Sequence, residues 1–79
     1  MITSQDEIQV GDTVAINPAM PGKRRVIVRI THIAPPNQYA PEYVSFLGYR
    51  VRPNDLSVSF GYEHSHGARF PYVEILRKG

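Results

Sequence analysis

The sequence predicts a small all-β domain, a single five-stranded barrel around one core. Short β-branched and aromatic runs alternate with period two, clusters of Pro, Gly, Asn and Asp separate them, and no stretch carries the 3.6-residue period of an amphipathic helix. Leu56, Val58, Phe60 and Tyr62, with Ser57, Ser59 and Gly61 between them, show the alternation most cleanly. Seventy-nine residues suit one domain, residues 1–79. A domain of this size buries only about 60 to 65% of the surface its unfolded chain exposes, so the core needs every large apolar residue. The polar opening segment, 1–7, is expected to be flexible.

Taken in order, Gly11-Asp12 marks a turn and 13–16 a first strand, which Asn17-Pro18 stops. Residues 18–25 form a loop with Lys23, Arg24 and Arg25 at its tip. Residues 26–33 make the strongest strand. Ile27 and Ile33 break its alternation, which predicts a bulge or coverage of both faces. Pro35, Pro36 and Pro41 remove ladder donors, so 34–42 is an exposed, semi-rigid loop centred on Tyr39. The next strand, 43–52, turns Val44 and Phe46 to one face and Leu47, Tyr49 and Val51 to the other, with Gly48 marking a bulge or bend between them. Pro53-Asn54-Asp55 leads into a strand at 56–62, residues 63–67 read as a loop, and 70–77 as the closing strand. Five strands at this spacing predict a Src-homology-3-like (SH3-like) barrel. An oligonucleotide-binding-type barrel or a small two-sheet sandwich is the alternative.

The runs Gly11-Asp12-Thr13-Val14-Ala15-Ile16-Asn17-Pro18, Val28-Arg29-Ile30-Thr31-His32-Ile33 and Tyr49-Arg50-Val51-Arg52-Pro53-Asn54-Asp55 resemble the first part of bromo-adjacent homology and tudor-like modules. In those modules a Gly-Asp-x-Val strand precedes an Arg-Ile-x-x-Ile strand and an aromatic strand ending in Arg-Pro. The resemblance spans residues 11–55 and implies a binding scaffold for protein or nucleic acid without chemistry of its own. Tryptophan is absent before Arg52-Pro53, and the chain is shorter than a whole bromo-adjacent domain.

Composition narrows the functional classes. The absence of cysteine excludes a disulfide framework and a thiolate metal site, and the opening residues lack a secretory pattern, so a cytoplasmic protein is expected. No apolar run approaches the roughly 20 residues that span a bilayer, so no membrane partner is expected. Nine Lys and Arg against seven Asp and Glu give a net charge of +2, and the positions of the cations matter more than this total. Lys23, Arg24, Arg25, Arg29, Arg50 and Arg52 would form a basic stripe for nucleic acid if strands 26–33 and 43–52 are neighbours, with Tyr39 or Tyr49 as stacking partners. The bland reading is that these cations solubilise the surface while the tyrosines fill the core. The alternative function is a protein-interaction module, an adaptor, inhibitor or subunit, using Pro35, Pro36, Tyr39 and Tyr43.

His64 and His66 would point the same way along an extended segment and form two thirds of a metal site, with Glu63 or His32 as a third ligand. Exposed, uncoordinated imidazoles are the commoner outcome, so no metal or other cofactor is assigned. No serine lies in a nucleophile elbow, no aspartate is spaced to orient a histidine, and the glycines form no phosphate-cradling loop. The sequence therefore reads as a non-enzymatic binding module.

Overall fold

The computed structural model describes residues 1–59 and 61–79 and is all-β. Its strands are β1 (Thr13–Ile16), β2 (Val26–Ile33), β3 (Tyr43–Arg50), β4 (His64–Arg69) and β5 (Val73–Arg77), with 3₁₀ turns at Gln5–Glu7 and Phe70–Tyr72. They form one antiparallel sheet in the order β4-β3-β2-β1-β5. No ladder joins β4 to β5, so the sheet is not closed.

The sheet is nevertheless strongly curled. Laid flat, its two edges would stand about 19 Å apart, four strand spacings. Yet Arg69, the last residue of β4, is joined to Val73, the first of β5, by the three residues Phe70–Tyr72. Four residue steps reach at most about 14 Å, so the edges must converge at that end.

Two features of the β2–β3 ladder help the sheet to bend. Ile30 pairs with Gly48 but His32 with Leu47, which leaves Thr31 as an extra residue, and its hydroxyl donates to the Leu47 carbonyl at 3.2 Å. Opposite this bulge β3 can carry only glycine: a Cβ on Gly48 would overlap both the Arg29 carbonyl oxygen and Val28 Cγ1. Both expectations for β2 hold, the bulge and the two covered faces. Val14, Val28, Ile30, Val44, Phe46 and Val73 pack on one face, whereas Ile27 joins Ala15 and Val51 in a smaller cluster on the other.

Three sequence expectations are corrected. The described residues of 56–62 follow a turn at 53–55 and form irregular chain and bends with one bridge, Val51 to Val58, rather than a strand; Phe60 lies outside the described residues. Residues 63–67, expected as a loop, supply most of β4, which has no β-branched residue and is extended because β3 offers it a six-residue register. The closing strand starts at Val73 because Pro71 sits in the 3₁₀ turn before it. Ile2 and Ile8 pack in the main core, and Ile2 N–H donates to the Val73 carbonyl at 3.0 Å. A capping box supports the opening turn, with the Ser4 hydroxyl accepting from Asp6 N–H and the Glu7 carboxylate accepting from the Thr3 and Ser4 N–H groups.

Asp12 binds these parts together. Its carboxylate is 1% exposed and accepts from Gln9 N–H at 2.9 Å, Gly79 N–H at 2.9 Å and Lys78 Nζ at 2.6 Å. Burial pushes this carboxyl up, but the Lys78 ammonium and the two N–H donors outweigh it and hold the group below its ordinary value. The stabilisation is complete above the ordinary carboxylate range and drains away as the pH falls through and below it. Asp12→Ala should cost about 3 kcal/mol in urea unfolding at neutral pH, with the difference from wild type shrinking under acid. Thr13, 1% exposed, has a buried hydroxyl with no partner among the described residues. Thr13→Val keeps the shape and removes that desolvated hydroxyl, and should raise stability by about 1 kcal/mol in the same assay.

Candidate nucleic-acid interface

The cations predicted as one stripe fall into two groups. In the β2–β3 ladder Arg50 pairs with Val28, while Arg29 pairs with Tyr49, one step on and therefore on the opposite face. Arg24, Arg25 and Arg50 gather where β2 begins and β3 ends, around an open cleft of about 440 Å³ whose lining is completed mainly by Val26, Ile27, Val51 and Pro53. Lys23 is exposed in the loop beside Arg24.

The three arginines of the cleft differ in electrostatic surroundings. Arg25 Nη1 lies 3.7 Å from Glu74 Oε1 on β5, with both side chains nearly half exposed, so its charge is partly offset. Arg24 and Arg50 have no acidic partner among the described residues. Free guanidiniums beside an apolar surface suit an anionic ligand, since each can present two parallel N–H donors to a phosphate.

Arg29 and Arg52 serve the wall of the cleft instead. Val51 N–H donates to the Ile27 carbonyl, Ser59 N–H to the Arg50 carbonyl and Arg52 N–H to the Ser57 carbonyl, which makes 50–59 a hairpin-like excursion. At its turn Leu56 has φ 59°, a left-handed conformation that costs a non-glycine residue of order 1 kcal/mol. Two contacts hold it there: the side chain packs against the Ala15, Ile27 and Val51 cluster, and Arg29 Nη2 donates to the Leu56 carbonyl at 2.6 Å. Arg52 Nη1 reaches the Ser57 hydroxyl at 3.4 Å. Nothing in the sequence pattern signalled this arrangement, because it depends on a contact between residues 27 positions apart.

The aromatic and proline candidates lie elsewhere. Tyr39 is 87% exposed on the 34–42 loop, where its N–H donates to Asn37 Oδ1 at 2.8 Å. Tyr49 is half-buried opposite Arg29. Tyr43 lies across Gly67, where a Cβ would clash with its ring, and together with Pro36 and Pro41 it borders a second hollow against the opening segment. Pro35 is exposed. Neither Tyr39 nor Tyr49 lines the arginine cleft.

His64 and His66 do point the same way, their ring centroids 6.3 Å apart on one face of β4. Glu63 is turned to His32, its Oε2 3.4 Å from the imidazole Nδ1, and no group of three His, Cys, Asp or Glu suited to a metal occurs among the described residues. The Tyr62 ring lies 4.6 Å from that of His64, and the Phe46 ring 6.0 Å from that of His66.

Burial first, then the positive charge of Arg50 and the neighbouring His64, keep the His66 imidazole below its ordinary value of 6.5. Its Nε2 is buried with no partner among the described residues. The fold therefore holds this ring neutral, and as the pH falls below about 6.5 the unfolded chain takes up the proton more readily. Stability measured by urea unfolding should fall between pH 7.5 and pH 5, and His66→Phe should reduce that loss.

No family model, curated protein or solved structure matches this chain. No helix among the described residues is long and apolar enough to cross a membrane.

Proposed function

We propose that this protein is a non-enzymatic binding module that takes nucleic acid at the cleft of Arg24, Arg25 and Arg50, with Lys23 extending the positive rim. The observation that carries this reading is that three arginines from two separate segments line one cleft, two of them without an acidic partner among the described residues. A cation spent on solubility has no need to share a concave surface with two others. The scaffold we propose is an SH3-like barrel left open between β4 and β5, supported by the return of β5 to β1 and the short Phe70–Tyr72 link. Such a barrel is also what the resemblance to tudor-like modules implies, and there too the scaffold binds rather than catalyses.

A second reading draws on one observation, the 87% exposure of Tyr39 on a proline-framed loop. An aromatic ring held out on a semi-rigid loop can anchor a protein partner at low entropic cost. Binding that survives high salt and disappears in Tyr39→Ala would favour it.

Salt dependence of affinity tests the lead reading. Affinity for a mixed-sequence oligonucleotide, followed by fluorescence anisotropy, should fall steeply with salt, and Arg24→Gln with Arg50→Gln should flatten the log–log slope by about one to two. Glu74→Gln frees Arg25 and should tighten binding a few-fold. An unchanged slope in the double variant would overturn the assignment of the site.

A further inference from the structure

We infer that the cleft is built for a single-stranded chain, with one nucleotide's base laid against the apolar lining while the flanking phosphates meet Arg24, Arg25 and Arg50. This inference rests on the reading of the cleft as a nucleic-acid site and specifies the form of the ligand. The argument begins with the lining. Three arginines alone would suit any polyanion, but here the lining also includes half-buried Val26 and exposed Pro53, backed by the nearly buried Ile27 and Val51. A ligand that meets both must join negative charge to an apolar, flat part, and a nucleotide unit does so.

Size and shape point the same way. About 440 Å³ lies within the roughly 300–1,000 Å³ range of pockets that enclose small ligands. A double helix presents rows of phosphate on a convex surface with its base faces stacked away, so it could touch the arginine rim but leave the apolar lining empty. A single strand can turn a base out of its stack, and arginine planes as well as apolar side chains then receive it.

The cleft is also braced on the side where a base would press. Pro53 and Ser59 belong to the 50–59 excursion, whose turn is pinned by the Arg29 bond to the Leu56 carbonyl and by the Val51–Val58 bridge. A wall fixed in this way spares the ordering cost that a mobile loop would incur on binding. Ser59 adds a polar group to the lining beside Arg50.

The test compares four fluorescent probes on the wild-type chain at low and at physiological salt: a short oligo(dT), an oligo(U) of equal length, an abasic strand of that length and a duplex. The two base-bearing strands should bind about tenfold tighter than the abasic strand and the duplex, and Pro53→Ser should weaken them several-fold while leaving the weak duplex binding unchanged. A preference between oligo(dT) and oligo(U) identifies DNA or RNA as the source. If duplex and abasic strand bind as tightly as the base-bearing strands, and Arg24→Gln with Arg50→Gln abolishes all four, the single-strand inference is overturned and the cleft remains a polyanion site. If no probe binds at low salt, the nucleic-acid reading itself fails.

Discussion

The buried carboxylate of Asp12 is the constraint on which the rest of the molecule depends. A charged group taken almost wholly out of water is tolerated only when its lone pairs are met, and here two backbone N–H groups and an ammonium meet them. Those donors come from the turn before β1 and from the segment after β5, so the carboxylate is satisfied only when the two ends of the sequence lie side by side. Lys78 extends the same link by donating to the Glu7 carbonyl, next to the capped opening turn. With β5 held against β1, Glu74 comes within reach of Arg25 and helps to set the charge presented at the cleft. A structural carboxylate thus acts on the candidate site through the position of a strand.

Much of the architecture was legible in the sequence, and the exceptions have physical causes. β1 and β2 were readable as apolar, largely β-branched runs bounded by turn residues, most of β3 because Val44 and Phe46 alternate with exposed positions, and the bulge and double burial of β2 were visible in Ile27 and Ile33. β4 was not, because His64, Ser65, His66 and Gly67 have little intrinsic preference for an extended chain; their conformation comes from pairing with β3. The reverse error fell at Leu56, where a strand-like alternation conceals a left-handed turn that only long-range contacts with Arg29 and the small cluster can hold. In both places tertiary contacts overrode the local pattern.

The cations follow the same logic. That Lys23, Arg24, Arg25 and Arg50 could meet was apparent from their placement beside adjacent strands. Arg29 lies on the face away from Arg50, and there its guanidinium is engaged by the Leu56 carbonyl instead of the cleft. Arginines that look equivalent in sequence therefore divide into those that line the cleft and two, Arg29 and Arg52, that fasten its wall. The ion pair between Arg25 and Glu74 joins residues far apart in the chain and had no local signature.

The pairing of β1 with β5 bears on how the molecule is reached in time. Its partners, from Thr13 with Arg77 to Ile16 with Val73, lie 64 to 57 positions apart, whereas β2, β3 and β4 pair in sequence order. Non-local pairing of this kind slows folding, because loop-closure entropy must be surrendered before the contacts form. The β2–β3–β4 meander is the local part of the sheet, and bringing β5 to β1 carries the largest loop-closure cost. How quickly the folded protein is found is thereby tied to the strand that pairs across the longest stretch of sequence.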